Sequence, residues 1–345
     1  MNDMKIKYFS LLAVIAVMAF GSCDVDPTPL TIIKPYEYDA QYYQNLRDYK
    51  ATDHTVSFGW FAKYKANAQT SSPLSKGLSF SGMPDSLDIC SLWAGVPSND
   101  PESDAYDPFL YNDMKFVQKV KGTKMVWVKF PNMKGFDESF GFTQNDEGAA
   151  KFAEYLCKEV LRMELDGLEI DYEPGGAEFL ANTAAFGRFI QECGKYLGPG
   201  PESPRKDLML IVDYYNHSLP NNIEPYINYL VKQAYTQGFT QHSNSRLQTY
   251  YNGVASWLPP AKFIVTEKFD SFSSTGGSPF VDGSLVQMVA PDGVKIFSLE
   301  GMARWNPTQG RKGGFGAFHA DQDYNNAPGY YYYRRCIQIC NPAVK

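Results

Sequence analysis

Short apolar runs alternate with amphipathic segments along most of the chain. Eight of these runs have the length and the β-branched and aromatic content of strands. They are Thr55–Tyr64, Leu87–Ala94, Thr123–Phe130, Leu165–Glu173, Leu208–Asn216, Leu230–Gln237, Phe263–Phe269 and Gly314–Asp321. Apolar residues recur at helical spacing over Glu147–Met163, and similar patterns cover Ala181–Leu197 and Pro328–Ile339. The pattern therefore predicts strands and helices in alternation.

Strands separated by helix-length segments indicate βα units around a parallel sheet. Eight such units within about 290 residues predict an α/β fold, the (β/α)8 TIM barrel, as a single domain over residues 51–345. A doubly wound open sheet is the alternative fold. Such sheets usually carry a glycine-rich turn after the first strand, and the sequence has no such turn there.

The fourth run carries acids at alternate positions in the segment ELDGLEIDYEP, Glu164–Pro174. Because strand side chains alternate between two faces, one face carries Glu169, Asp171 and Glu173, and the other carries Leu168, Ile170 and Tyr172. In a barrel, the apolar face packs under the helices and the acids point into the lumen, near the C-terminal end where active sites lie. Burial and mutual repulsion should keep at least one acid protonated near neutral pH, as a general acid requires. A solvated edge strand is the alternative, but the apolar second face argues against it.

The N-terminal segment has the pattern of a processing signal. Lys5 and Lys7 precede an apolar run that ends at Phe20, and Gly21-Ser22-Cys23 follows. This pattern resembles a bacterial lipoprotein signal peptide over residues 1–22, which implies a lipid on the Cys23 sulfur and attachment to a membrane. An ordinary secretory peptide with an incidental cysteine is the alternative. Residues 23–50 are polar and proline-rich, and we expect a tether there.

Acidic residues directly after Cys23, Asp24 and Asp26, resemble the export tags of surface lipoproteins in Bacteroides-like bacteria. The resemblance implies a location at the outer membrane or the cell surface. A formal net charge of -6 and the lack of a basic run argue against a nucleic-acid partner. No metal-binding cluster or nucleotide-binding loop is recognisable, so we expect no cofactor. The other cysteines are widely spread and read as buried free thiols: Cys90, Cys157, Cys193, Cys336 and Cys340.

The segment Asp166-Gly167-Leu168-Glu169-Ile170-Asp171-Tyr172-Glu173 resembles the Asp-Gly-x-Asp-x-Asp-x-Glu motif on the fourth strand of glycoside hydrolase family 18. That family includes chitinases and endo-β-N-acetylglucosaminidases. The resemblance implies that Glu173 is the catalytic acid and that Asp171 orients the substrate's acetamido group. Glu169 stands where the family has Asp. The resemblance also implies that the reaction retains the configuration of the anomeric carbon, with the substrate's own 2-acetamido carbonyl as nucleophile.

Other candidate residues lie near the C-terminal ends of predicted strands. Gln233 and Tyr235 resemble the Gln-x-Tyr of the family's endoglycosidases, which implies that Tyr235 contacts the acetamido oxygen. A core tyrosine is the alternative. Further candidates for substrate binding are Asp213, Tyr215, Glu267, Trp60, Trp93 and His319. His319 and Asp321 stand where many chitinases place a tryptophan.

Chain length favours one branch of the resembled family. Its larger chitinases insert a small α+β domain between strands seven and eight, and the segment Asp270–Gly313 is too short for it. We therefore expect an endo-β-N-acetylglucosaminidase that acts, as a monomer, on the GlcNAc-β1,4-GlcNAc core of N-linked glycans or glycoproteins. A chitinase and a glycan-binding lipoprotein without activity are the alternatives. Glu169 is the one feature that favours the glycan-binding lipoprotein.

Overall fold

Eight parallel strands close into a barrel. They are β1 (Val56–Phe61), β2 (Ile89–Leu92), β3 (Lys124–Lys129), β4 (Gly167–Tyr172), β5 (Met209–Tyr214), β6 (Tyr229–Gln233), β7 (Phe263–Lys268) and β8 (Gly314–Phe318). Each strand pairs with the next along the chain, and β8 pairs with β1 to close the ring. All eight predicted strands and the predicted TIM barrel are confirmed, although each strand is shorter than its apolar run.

The computed structural model describes residues 38–342, except for 63, 65–76, 78, 137, 177 and 237–240. Its helices are α1 (Ala40–Lys50), α2 (Pro108–Phe116), α3 (Asp146–Arg162), α4 (Thr183–Cys193), α5 (Asn244–Asn252), α6 (Phe269–Phe272), α7 (Ser298–Arg304) and α8 (Tyr331–Cys340). A π-helical turn, Val117–Lys121, extends α2. Two-residue strands at His242–Ser243 and Phe280–Val281 pair outside the barrel. The three predicted helices are confirmed as α3, α4 and α8.

Helix α3 shows why these segments become helical. The Asn145 side chain accepts a hydrogen bond from the Gly148 backbone N–H at 2.9 Å and so caps the first turn. Asp146 and Glu147 place negative charge at the positive end of the helix dipole. Its apolar stripe, which includes the fully buried Phe152, packs against the barrel wall.

The connection between β5 and β6 departs from the regular βα pattern. The chain there forms a 3-10 segment, Asn221–Tyr226, instead of an α-helix. The outward residues of these two strands are nevertheless buried. The segment between β7 and β8 contains only α6, one two-residue strand and α7, so the predicted absence of an inserted domain is confirmed.

The predicted tether is wrong at its C-terminal end, because residues 40–50 form α1. Leu46 of this helix is buried, the Arg47 guanidinium donates to the Val120 carbonyl at 2.7 Å, and Lys50 Nζ donates to Thr123 Oγ1 at 2.8 Å. These contacts attach α1 to the π-helical turn after α2 and to the residue just before β3. The predicted signal peptide, Cys23 and residues 24–37 of the tether lie outside the described residues. Within the described part of the chain, no helix is long and apolar enough to cross a membrane.

The first two residues of the acidic motif fix the strands of the barrel. Asp166 accepts a hydrogen bond from the Met125 backbone N–H at 2.9 Å, which joins the start of β4 to β3. A Cβ atom on Gly167 would lie 2.5 Å from the Met209 carbonyl oxygen, so only glycine allows β5 to approach this closely. As predicted, the apolar face of β4 packs outward, where the Tyr172 ring stacks on Phe186 of α4 with centroids 3.8 Å apart.

Candidate active site

A cleft of about 300 Å³ opens at the C-terminal ends of the strands. Its walls are formed by Trp60, Trp93, Phe130, Asp171, Glu173, Tyr215, Gln233, Tyr235, Lys268 and Phe318. The sequence predicts all of these residues except Phe130, Lys268 and Phe318. The cleft therefore lies at the mouth of the barrel, where the alternation on β4 places the acids.

The three acids of β4 lie at increasing depth. Glu173 is exposed at the mouth, Asp171 is buried with 2% of its surface accessible, and Glu169 is fully buried beneath it. Asp171 and Glu173 line the cleft, whereas Glu169 does not. Glu169 thus cannot contact a bound sugar directly and acts through its neighbours.

A layer of buried carboxyl groups lies below the cleft. Trp60 Nε1 donates to Glu169 Oε1 at 2.7 Å, and Gln233 Nε2 donates to Asp213 at 2.6 Å and to Asp171 at 3.3 Å. The Asp213 carboxyl lies close enough to Glu169 and Asp171 to influence their ionisation. Glu169 Oε2 and Asp213 Oδ2 have no hydrogen-bond donor among the described residues. Buried carboxyl groups so close together repel one another when ionised, so we expect this layer to hold at least one proton.

The electrostatics of the layer follow from its burial. Burial raises the pKa of Glu169 to about 7. Burial, followed by repulsion from Glu173, raises the pKa of Asp171 to about 8. Burial and repulsion from both neighbours raise the pKa of Asp213 well above its usual range. These shifts agree with the prediction that at least one acid stays protonated near neutral pH, and they occur on acids below the mouth.

Stability should depend on the ionisation of this layer. Between about pH 4 and about pH 8 the folded protein binds more protons than the unfolded chain, because the pKa values of the buried acids are raised in the folded state. The free energy of unfolding therefore falls as pH rises through this range. Asp213→Asn removes one titrating group, and its amide can donate to Glu169 as the protonated acid does. We expect a smaller fall in Tm between about pH 6 and about pH 9 in this variant than in the wild type. Thermal unfolding followed by circular dichroism at several pH values measures this fall in Tm.

The matched control for that measurement is Asp104→Asn, which changes an exposed carboxylate far from the buried layer. Its Tm should follow the wild-type pH dependence. Parallel Tm curves for the wild type and Asp213→Asn would show that this acid holds no extra proton in the folded state.

Aromatic rings form much of the cleft wall. The Phe318 ring at the end of β8 lies with its centroid 5.0 Å from that of Trp93 and 6.2 Å from that of Tyr235, and Phe130 meets the other edge of Trp93 at 5.9 Å. Tyr235 also stacks on Tyr215, with centroids 6.4 Å apart. Such flat apolar surfaces suit the faces of sugar rings.

Tyr235 combines this apolar contact with a hydrogen-bond donor. Burial, followed by repulsion from the Asp213 and Asp171 carboxylates, raises the pKa of Tyr235 well above its usual range. The phenol therefore keeps its proton at neutral pH. The site thus offers a carboxyl group in Asp171 and a phenolic donor in Tyr235 on one cleft wall.

The structure does not place Glu267 in the cleft, which corrects the prediction that it binds substrate. The side chains of its neighbours Thr266 and Lys268 face the lumen of the barrel, so the Glu267 side chain between them points outward. Its buried carboxylate accepts hydrogen bonds from the Thr236 backbone N–H at 3.0 Å and hydroxyl at 2.6 Å, and from the Ser298 hydroxyl. Glu267 therefore ties the loop after β6 to the start of α7.

His319 also lies outside the cleft lining, contrary to prediction. Its backbone is left-handed, with φ of 52°, and its ring packs edge-on against Phe318 with centroids 4.2 Å apart. Phe318 is the residue that faces the lumen at this level. Asp321 accepts a hydrogen bond from the Ala62 backbone N–H at 3.0 Å and anchors the end of β1.

Phe130, Lys268 and Phe318 are cleft residues that the sequence analysis missed. All three stand at or next to the C-terminal ends of the observed strands β3, β7 and β8. Assigning the lumen-facing positions of these strands correctly would have found them. Lys268 Nζ lies 3.3 Å from Asp270 Oδ2 and brings a positive charge to the cleft rim.

A closed parallel barrel with paired carboxyl groups and aromatic walls at its C-terminal mouth has the architecture of a barrel glycosidase. The chain belongs to glycoside hydrolase family 18: the profile described as "Glycoside hydrolase family 18, BT1044-like" matches residues 21–339. This confirms the family that the motif on β4 resembles, and the protein is a glycosidase.

Related proteins agree with this assignment. The chain is 25% identical over 359 residues to endo-beta-N-acetylglucosaminidase F2 from Elizabethkingia meningoseptica, covering 97% of this chain and 98% of the relative. A variant of BT1044 superposes with a TM-score of 0.68 at 24% identity, covering 88% of this chain and 93% of that one. An endo-beta-N-acetylglucosaminidase variant from Cordyceps militaris, in complex with fucosyl-N-acetylglucosamine-Asn, gives a TM-score of 0.62 at 22% identity, covering 89% and 98%. The two structures share the fold of this chain.

Proposed function

We propose that the protein is a retaining endo-β-N-acetylglucosaminidase that cuts the GlcNAc-β1,4-GlcNAc core of N-linked glycans. The observation that carries the proposal is the placement of carboxylates in the cleft. Among the described residues, only Asp171 and Glu173 bring a carboxylate to the cleft wall, and both come from β4. A retaining enzyme with an enzymic nucleophile needs a second carboxylate across the sugar from the acid. The nucleophile is therefore the acetamido group of the substrate.

The proposed reaction assigns one role to each group. Asp171 accepts the acetamido N–H, and Tyr235 donates its O–H to the acetamido oxygen until that oxygen attacks the anomeric carbon. Glu173 donates a proton to the glycosidic oxygen as the bond to the leaving sugar breaks. Glu173, now a carboxylate, takes a proton from water, and the hydroxide opens the oxazolinium ring with overall retention.

The buried carboxyl layer prepares Asp171 for this role. The raised pKa of Asp171 keeps this group mostly protonated in the free protein, yet an ionised Asp171 binds the acetamido N–H and the positive intermediate best. A bound substrate therefore favours transfer of that proton to the neighbouring Asp213 carboxyl, whose pKa is also raised. Asp213 and Glu169 are in this sense positioning residues, because they set the charge of Asp171 without touching the sugar.

Glu169 is compatible with this mechanism. Its longer side chain reaches across the lumen from β4 to Trp60 on β1, and an aspartate would end about 1.5 Å short of that contact. The substitution leaves Asp171 and Glu173 in the cleft wall. Glu169 therefore does not favour a glycan-binding barrel without activity.

The relatives support the proposed substrate. The Elizabethkingia and Cordyceps relatives are endo-β-N-acetylglucosaminidases, and the Cordyceps structure holds a fucosylated N-acetylglucosamine on asparagine. The lack of an inserted domain between β7 and β8 leaves the cleft open to a branched glycan on a folded glycoprotein.

Incubation with one high-mannose and one biantennary complex glycoprotein tests the proposal. Mass spectrometry should detect a protein that keeps a single N-acetylglucosamine on each treated asparagine. NMR of the earliest released sugar should detect the β-anomer, as retention requires. Tight binding without any mass change would instead establish a glycan-binding protein, and release of chitobiose from chitin alone would establish a chitinase.

A further inference from the structure

A second cavity of about 430 Å³ lies on the flank of the barrel, between the β5–β6 connection and α5. Its walls include Tyr214, Tyr215, Asn216, Lys232, Tyr250 and Trp257. We call it the Lys232 cavity. Tyr215 lines both this cavity and the catalytic cleft, so one ligand can approach both.

Lys232 brings a positive charge to this cavity, and the Glu173 carboxylate at the barrel mouth attracts it only from beyond ion-pair distance. Its ammonium lies 4.8 Å, 5.3 Å and 4.9 Å from the ring centroids of Tyr214, Tyr215 and Tyr250. It donates one hydrogen bond, to the Tyr215 carbonyl oxygen. Within the described residues, no carboxylate lies within ion-pair distance of it. A buried cation without a counterion is costly, and contacts with ring faces offset only part of that cost.

The strand pattern places the charge at an unusual position. Gln233 and Val231 face the lumen, so Lys232 points to the outer side of β6, where a regular barrel packs an apolar residue under a helix. The β5–β6 connection contains only the 3-10 segment Asn221–Tyr226 and no α-helix. Lys232 lines the open cavity beside the start of this connection, although only 4% of its surface is accessible.

We propose that the Lys232 cavity binds a sugar that carries a carboxylate, such as a sialic or uronic acid. The carboxylate supplies the counterion that Lys232 lacks, and the exposed amide of Asn216 hydrogen-bonds to sugar hydroxyls. The Tyr250 and Trp257 rings cover the apolar face of the ring. The cavity volume lies within the range of about 300–1,000 Å³ that small-molecule sites occupy. Because the cavity lies beside Tyr215, the acidic sugar would belong to a glycan that also reaches the catalytic cleft. Only this link to the cleft rests on the proposed function.

A purely structural role explains less of what is observed. Holding the Tyr215 carbonyl requires one N–H of the ammonium and no cavity. Burial, opposed in part by attraction to Glu173, lowers the pKa of Lys232 to about 8, which leaves the group mostly charged at neutral pH. The charge and the open volume together indicate an anionic ligand.

Binding of free sugars tests the inference without any hydrolysis, so its failure is distinct from failure of the proposed function. The wild-type protein should bind 3′-sialyllactose or glucuronic acid in NMR titrations and should bind lactose at least about tenfold more weakly. The sialylated and uronic probes identify which source of the carboxylate fits. The affinity should fall as salt concentration rises, because an ion pair contributes to it.

Lys232→Met keeps the length of the side chain and removes its charge. We expect it to weaken binding of the acidic sugar by about tenfold or more, and Lys232→Arg to restore most of that loss. If Lys232→Met does not fold, Asn216→Asp provides a second test, since it adds a negative charge at an exposed wall position and should also weaken binding. Equal affinities for acidic and neutral sugars, an unchanged affinity in both charge variants, or no binding of either acidic probe would overturn the proposal.

Discussion

Glu173→Gln is expected to lower kcat/KM on an N-glycopeptide by about 10³-fold or more, because the amide can neither donate the proton to the leaving oxygen nor activate water. Glutamine is nearly isosteric with glutamic acid, and Glu173 is exposed at the cleft mouth. No side chain in the described part of the chain forms a hydrogen bond or ion pair with its carboxylate that the substitution would break. The Kd for the glycopeptide should therefore stay within about threefold of wild type. Turnover by mass spectrometry and binding by calorimetry measure the two quantities.

Glu178→Gln is the matched control for this experiment. Glu178 follows Glu173 in the same loop and does not line the cleft. Its variant should keep wild-type turnover. Full activity in Glu173→Gln would show that another group donates the proton. Loss of both turnover and binding would show that Glu173 holds the substrate rather than acting on it.

The sequence was sufficient for the fold because each strand carries its own apolar run and the connections have helical length. It failed where tertiary contacts decide the structure. Helix α1 is polar and has only one buried residue, Leu46, so its sequence has the composition of a tether, and its attachment depends on contacts with the π-helical turn after α2 and the residue just before β3. The absence of an α-helix between β5 and β6 was also not evident from the strand pattern.

Strand parity explains both the successes and the errors at the candidate site. The alternation on β4 correctly placed Asp171 and Glu173 on the cleft wall, since its opposite face is unmistakably apolar. On β7 both faces are mixed, so the acid Glu267 appeared to be the site residue, whereas its neighbour Lys268 faces the cleft. The buried carboxyl layer of Glu169, Asp171 and Asp213 joins two strands, and no single segment of the sequence predicts it.

Asp171→Asn is expected to lower kcat/KM by about 10²–10³-fold, because the neutral amide cannot stabilise the positive charge that develops on the acetamido group. The fold should tolerate this change well. Asp171 is a buried acid whose pKa is raised to about 8, so the free protein already holds it mostly protonated, and asparagine resembles that state. The Tm of the variant should equal or exceed the wild-type value near neutral pH.

A glycan oxazoline separates the role of Asp171 from that of Glu173. The oxazoline already contains the ring that Asp171 helps to form, so Asp171→Asn should process it, by hydrolysis or by transfer to an N-acetylglucosamine acceptor, far faster than it processes the intact glycopeptide. Glu173→Gln should be slow in water addition to the oxazoline as well, because that step needs the base. Rates followed by mass spectrometry distinguish the two variants.

If Asp171→Asn were equally slow on both substrates, Asp171 would act in substrate binding or water attack. If it remained fully active on the glycopeptide, the acetamido group would not be the nucleophile that Asp171 orients.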